Sequence, residues 1–246
     1  MDSEIRMSKS PSGTARILVT GGAGFIGSKV VIELINRGFD VTVIDDLSTG
    51  KKSNLPKQVS FYEESILNEG TIKSLINKSD GVIHLAAVAS VIECQNNPEW
   101  SSKINLQATK NITLACRKSD RTKAIVFASS AAVYGEPKKT IISESHSTNP
   151  LSIYGFDKLN SEKFILSEDN DDSALVGCCL RFFNVYGPGQ RLQSSYSGVL
   201  SIFVERARKG ERVDVYGEGN QTRDFIHLDD VTSAVIACME SLLKEG

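Results

Sequence analysis

The stretch Arg16-Ile-Leu-Val-Thr-Gly21-Gly-Ala-Gly24-Phe-Ile-Gly27 decides the fold: a short apolar run breaks into glycines and then enters a helical pattern. It reads as strand, phosphate loop and helix. Gly22, Gly24 and Gly27 satisfy G-x-G-x-x-G, one glycine for the tight turn, one to let backbone approach a pyrophosphate and one to let the helix pack close on the strand. The helix N-terminus, with its free N–H groups and a macrodipole worth roughly half a positive charge, is an anion site that needs no basic side chain.

Working outward, the helix from Phe25 to about Arg37 carries Ile26, Val30, Val31, Leu34 and Ile35 at helical spacing, and Gly38 suits its C-terminal cap. A second strand follows, Val41 to Ile44, and ends on Asp45, 21 positions after Gly24 and near the spacing at which a carboxylate meets an adenosine ribose. Asp45 is the expected ribose ligand, with Asp46 beside it. Their charge would repel a 2′-phosphate, which favours NAD over NADP.

The rest of the chain supports a soluble α/β protein. Of its 246 residues, 40% are hydrophobic and 24% charged, ordinary for a globular chain able to bury one large core. A net charge of −2 without a long basic run argues against a nucleic-acid or membrane-surface binder, so an anionic substrate must be held by local groups. No apolar run approaches the roughly 20 residues of a membrane span, and Met1 to Thr14 lacks the apolar centre of a signal peptide. Residues 1–14 read as a flexible tail. Five cysteines (Cys94, Cys116, Cys178, Cys179 and Cys238) show no C-x-x-C spacing, so neither a metal site nor a disulfide scaffold is expected, and reduced thiols fit a cytoplasmic protein.

Further strands are expected at Val59–Tyr62, Gly81–Leu85, Ala124–Ala128 and Ala174–Leu180, with helices from Trp100 to about Lys118 and from Ile153 to about Ser167. This alternation predicts a doubly wound, mostly parallel Rossmann sheet over residues 15–180, with ligands at the carboxyl ends of the strands. Past Arg181 the spacing of glycines and prolines changes, which predicts a smaller substrate-binding lobe over 181–246. Its expected elements are a helix over Gly198–Lys209, short strands over Val213–Tyr216 and Asp224–His227, and a last helix capped by Asp229.

The chemistry is carried by two segments. Ser130 follows the fifth strand and should face the nucleotide crevice, while Tyr154 and Lys158, four apart, share one helical face with Cβ atoms about 5–6 Å apart. A phenol of pKa about 10 is a poor base at neutral pH, but a neighbouring ammonium and a positive nicotinamide both favour phenolate. Tyr154 can then take a proton from a sugar hydroxyl as hydride leaves the same carbon, with Ser130 orienting that oxygen. His84 and His227 read as hydrogen-bonded strand-end residues rather than catalysts.

Thr20–Gly27, Asp45, His84-Leu-Ala-Ala87, Ser129–Gly135, Tyr154 with Lys158, Arg181–Pro188 and Arg223–His227 together resemble the extended short-chain dehydrogenase/reductase superfamily, and within it the NAD-dependent nucleotide-sugar epimerases of the UDP-glucose 4-epimerase type. The resemblance implies that Gly21, Gly24, Phe25, Ile26 and Gly27 hold the cofactor with Asp45, Asp46, Leu85, Ala86, Ala87 and Asn105, alongside Tyr154 and Lys158. Ser130, Asn184, Val199, Tyr216 and Arg223 are the implied substrate contacts, the guanidinium being suited to a diphosphate. It also implies a homodimer packed through the helices at 100–118 and 153–167. Two departures stand out. Glu64-Ser65 replaces the family's usual Gly-Asp at the adenine contact, and Ala131-Ala132 stands where dehydratase and decarboxylase relatives place proton-moving carboxylates. The latter favours epimerisation of a UDP-sugar at its 4-hydroxyl. The chain ends at Gly246, so the lobe is expected to be incomplete relative to the family. The alternatives are another nucleotide-sugar reductase or dehydratase, or a non-catalytic NAD-sensing module.

Overall fold

The structure, a computed structural model, describes residues 14–137, 139, 141–167, 174–190, 198–215 and 217–245. The expected tail thus lies, apart from Thr14, outside the described residues, and so does Tyr216. Six strands form one parallel sheet: β1 (Arg16–Thr20), β2 (Asp40–Asp45), β3 (Ser60–Glu63), β4 (Gly81–His84), β5 (Ala124–Ser130) and β6 (Val176–Phe182), in the order β3-β2-β1-β4-β5-β6. The chain runs outward from β1 to β3 on one side and from β4 to β6 on the other. The reversal between β1 and β4 opens a crevice at the strands' carboxyl ends, where the register pairs Thr20 with both Ile44 and His84.

Alternation of side chains along each strand builds two cores. Ile17 and Val19 of β1, Ile83 of β4 and Val126 of β5 point to one face, where they meet α1 (Phe25–Asn36) through Val30, Val31 and Leu34. Leu18, Val82, Ile125 and Phe127 point to the other, against α2 (Glu69–Ile76) through Ile72, Leu75 and Ile76. Beyond β4 come α3 (Val91–Asn96), α4 (Pro98–Ser102) and α5 (Ala108–Arg117), and α5 joins that second core through Ala108, Ile112 and Cys116. The helix α6 (Ile153–Ile165) follows β5 and adds Ile165.

The remaining elements are β7 (Asn184–Tyr186), α7 (Val199–Lys209), β8 (Phe225–His227) and α8 (Leu228–Glu245). The strand β7, not foreseen from the sequence, pairs in parallel with β8 in a separate two-stranded sheet. Residues 213–215 form no strand, contrary to expectation. The last helix, assigned by the sequence to the second lobe, packs on the main sheet: Val231, Val235, Ile236 and Met239 are fully buried in the same core as Ile17 and Val30. Asp229 lies in the first turn of α8 and does not cap it.

The single helix expected over 100–118 is broken. Asn97 and Pro98 restart the chain as α4, and a widened π-type turn over Lys103–Gln107 separates α4 from α5. Such turns displace one residue from the helical ladder. Here the displaced region contains Asn105, buried among polar partners.

Candidate active site

The glycine loop shows why these positions tolerate no side chain. Gly21 has φ +68°, and a Cβ there would stand 2.7 Å from the Ala86 nitrogen. Gly21, rather than Gly22, is therefore the residue that makes the tight turn. A Cβ on Gly22 would press on Val43 at 2.7 Å, so Gly22 serves the packing of loop on β2. At Gly27 a Cβ would lie 2.1 Å from the Gly21 carbonyl oxygen, so the first turn of α1 sits directly on the loop.

A cleft of about 330 Å³ opens over this loop, lined by Gly21, Gly24, Phe25, Ile26, Gly27, Asp45, Asp46, Leu85, Ala86 and Ala87, all anticipated from the sequence. The Asp45 carboxylate accepts from Ala23 N at 2.9 Å and Leu47 N at 2.8 Å, which fixes it at the end of β2 with lone pairs to spare. Burial pushes its pKa above the ordinary carboxylate value, against the lowering effect of those two donors. Asp46 is exposed and is tied by Ser48 N and Oγ at 3.0 and 2.6 Å. Ser48, Thr49, Lys51, Asn54, Ser65 and Ile66 also line the cleft and were not anticipated. Their loop folds back on the glycine loop, with Lys51 N and Asn54 Nδ2 donating to Ala23 O at 3.1 and 2.9 Å. Gly50 was the available signal, since a Cβ there would meet Ala23 at 2.9 Å.

A buried polar chain stiffens the cleft wall. Ala86 N–H donates to Thr20 Oγ1 at 3.2 Å, and that hydroxyl lies 2.7 Å from His84 Nδ1. On the other side His84 Nε2 meets Thr109 Oγ1 at 3.0 Å, and Thr109 Oγ1–H donates to Asn105 O at 2.7 Å. Since Thr109 spends its proton on Asn105, His84 must carry its proton on Nε2 and accept at Nδ1. Burial, helped by the charge of Lys158, drives the imidazole down to about 3, so it stays neutral as this network requires. Asn105 does not line the cleft: its Oδ1 accepts from Val88 N at 2.8 Å and its Nδ2 donates to Val88 O at 3.1 Å. It holds the wall from behind through Val88.

The expected catalytic group assembles at the end of β5. Ser130 Oγ accepts from Ala132 N at 3.2 Å, capping the short turn over Ala131–Tyr134. The Ser130 hydroxyl near the Tyr154 phenol draws the phenol pKa down, but burial dominates and pushes it up to about 12. Lys158 by itself therefore leaves Tyr154 a neutral phenol, without the positive nicotinamide that the expectation joined to it. The Lys158 ammonium is buried, donates to Ala128 O at 2.7 Å and stands 5.7 Å from the Tyr154 ring centroid, 4.5 Å from that of Phe127. Burial brings Lys158 down from 10.5 to about 8. Ala128 itself lines the cleft, so the lysine meets the cleft floor through that carbonyl.

The nearby carboxylates are occupied. Glu162, one turn beyond Lys158, accepts from Ser129 Oγ and from the Arg181 guanidinium at 2.7 and 3.0 Å. Arg181 also donates to Tyr134 Oη at 3.1 Å, and its pairing with Glu162 raises its pKa further. Asp157 accepts from Ser102 Oγ at 2.9 Å.

Of the expected substrate contacts among the described residues, Ser130, Asn184, Val199 and Arg223 are not part of the cleft lining. Asn184 is exposed and donates to Asp224 O at 2.7 Å. Val199 is exposed at the start of α7. Arg223 donates to Thr222 O at 2.8 Å and has no carboxylate partner among the described residues. Among those residues no cluster of histidine, cysteine, aspartate or glutamate could hold a metal ion, and the five cysteines are free thiols.

Residues 17–245 match the family model described as "NAD dependent epimerase/dehydratase family". A putative UDP-glucose 4-epimerase of Methanocaldococcus jannaschii is 39% identical, over 89% of this chain and 71% of that protein. A UDP-N-acetyl-alpha-D-glucosaminuronate decarboxylase of Bacillus cytotoxicus is 32% identical, over 92% and 71%. Among solved structures, UDP-glucose 4-epimerase of Thermotoga maritima with UDP-glucose matches with a TM-score of 0.84 and 37% identity, over 92% of this chain and 73% of that one. The cofactor is NAD. The glycine loop, the fixed Asp45 and the Ser130–Tyr154–Lys158 group thus stand in a chain that belongs to the NAD-dependent epimerase/dehydratase family of the extended short-chain dehydrogenase/reductase type.

Proposed function

We propose that this chain inverts the 4-hydroxyl of a UDP-sugar, of the UDP-glucose/UDP-galactose or N-acetyl series, through a transient 4-keto sugar. The glycine loop and the α1 N-terminus fit the pyrophosphate, Asp45 the ribose and Leu85–Ala87 the flat wall of the cofactor. Bound NAD supplies the reversible acceptance of hydride from the sugar carbon and a positive ring near the phenol.

Tyr154 takes the proton of the 4-hydroxyl and later returns it. Ser130, whose hydroxyl lies near the phenol, orients the same sugar oxygen. Lys158, buried and held by Ala128 O, keeps a cation beneath the pair at neutral pH. Since burial alone leaves Tyr154 as a neutral phenol, the protein by itself rests with the proton on, and the cofactor's charge completes the base.

The observation that carries the choice of reaction is that both carboxylates of α6, Asp157 and Glu162, are occupied. Ala131 and Ala132 follow Ser130, Glu162 is spent on Ser129 and Arg181, and Asp157 on Ser102. Elimination of water needs a further proton carrier at the sugar, whereas hydride loss and return needs only Tyr154. A UDP-uronate decarboxylase is the second reading, favoured by the relative from Bacillus cytotoxicus. Incubation with NAD and, in turn, UDP-glucose, UDP-N-acetylglucosamine and UDP-glucuronate, followed by proton NMR, decides between them. The 4-epimer of a neutral sugar supports this reading, carbon dioxide with a pentose product supports the second, and absence of turnover contradicts both. A homodimer through α5 and α6 and a cytoplasmic location, in keeping with five free thiols, belong to the same proposal.

A further inference from the structure

We infer that Cys178 and Cys238 form a modification site, a thiol pair that a peroxide oxidises to a reversible disulfide clamping β6 to α8. Two patterns far apart in sequence bring the side chains together. Cys178 alternates with Val176 and Leu180 along β6, so all three face the core that α8 fills with Val235 and Met239. Cys238 packs against the same core from α8, and Cys178 Sγ–H donates to Cys238 Sγ at 3.4 Å across 60 residues of chain. A disulfide brings two sulfurs to about 2 Å, a closure within reach of side-chain rotation.

The surroundings single this pair out among the five cysteines. The strand β6 is an outer strand of the six-stranded sheet, and both thiols are only partly buried, so a small oxidant reaches them from the sheet edge. Cys94 and Cys116 are fully buried, and Cys179 points to the opposite face, into the core of Leu18 and Phe127. Burial and the neighbouring Cys238 push the Cys178 thiol up to about 12, so it rests protonated at neutral pH.

One peroxide balances the reaction. One sulfur, as thiolate, takes an oxygen from the peroxide and becomes a sulfenic acid, and the hydroxide released recovers the proton as water. The second sulfur displaces the sulfenic hydroxyl, the S–S bond forms and a second water leaves. The loop so closed runs from Cys178 to Cys238 and holds β7, α7 and β8 with Asn184, Val199 and Arg223. Oxidation therefore fastens both ends of the segment that carries those proposed contacts, while neither cysteine lines the cofactor cleft.

The test treats the full chain with hydrogen peroxide, alkylates the remaining thiols, digests without reductant and maps the peptides by mass spectrometry, with thermal melts before and after dithiothreitol. The expected result is a peptide pair joined through Cys178 and Cys238 and a melting temperature raised by roughly 5 to 15 °C, both reversed by dithiothreitol. Cys238→Ala is expected to show neither, and the wild-type map reads the bridge whatever the stability of that variant. Alkylation of both thiols after peroxide, sulfinic acid without a bridge, or a bridge to another cysteine overturns the pairing. A joined peptide with no rise in melting temperature overturns the clamp.

Discussion

Tyr154 and Lys158 form a pair whose two members are shifted in opposite directions by the same cause. Burial raises the phenol to about 12 and lowers the ammonium to about 8, so at neutral pH the phenol is neutral and the lysine carries the charge. Tyr154→Phe is expected to lower kcat by about 100- to 10,000-fold while NAD affinity, measured by calorimetry, stays within about threefold. For Lys158 the sign of the stability effect follows from its lowered value. The folded chain binds fewer protons than the unfolded chain between about pH 8 and 10.5, so burying the ammonium costs stability below pH 8 and that cost fades as pH rises through the window. Lys158→Met, which keeps the apolar stem in a closed pocket, is expected to raise unfolding stability at pH 7 by about 3 kcal/mol while abolishing turnover. Urea denaturation at pH 7 checks it, and a melt unchanged or lowered contradicts the burial cost. The i, i+4 spacing made the pair legible in the sequence. The protonation state was not, because it depends on how β5 and α6 close over the site.

Among elements, the strand, glycine loop and helix at 16–36 were legible because they rest on local chemistry, apolar runs and residues without a Cβ. Gly27→Ala tests this directly. With a Cβ 2.1 Å from the Gly21 carbonyl, α1 must lift off the loop, at an expected cost of about 2 kcal/mol or more in thermal stability and with loss of measurable NAD binding. The break of the 100–118 helix was illegible, because the π-type turn is set by Asn105 reaching Val88, a contact 17 residues apart in sequence. For the same reason the Asn105–Val88 contact was not legible in the sequence. The strand β7 was missed because its pairing with β8 spans about 40 residues, and α8 was placed in the wrong layer because amphipathicity states that a face is buried and not against what. Exposed Trp100, Leu114 and Phe156, on α4, α5 and α6, supply the apolar surface that the proposed homodimer covers. Paired Leu114→Asp and Phe156→Asp substitutions are expected to shift the protein from dimer to monomer in sedimentation velocity, and a wild type that is already monomeric contradicts that part of the proposal.

At the level of the whole molecule, the two halves of the sheet are joined at the crevice by His84, whose neutral ring links Thr20 of β1 to Thr109 of α5. Its folded value of about 3 lies below the ordinary 6.5, so between these values the unfolded chain binds the extra proton and stability falls as pH falls. The expected contribution near pH 5.5 is about 1.2 kcal/mol per pH unit, and His84→Gln should remove about 1.7 kcal/mol of the wild-type decline in unfolding free energy, read by urea denaturation, between pH 6.5 and 5. The proposed sugar contacts fall on segments whose pairing is long-range and whose pocket volume no motif reports. The central claim is that hydride leaves and returns to the same sugar carbon within one bound complex. The most direct measurement is the fate of deuterium at C4 of a UDP-sugar turned over in ordinary water with NAD. The account predicts that the inverted product keeps the deuterium at C4, whereas loss of the label to solvent, or inversion without NAD, would contradict it.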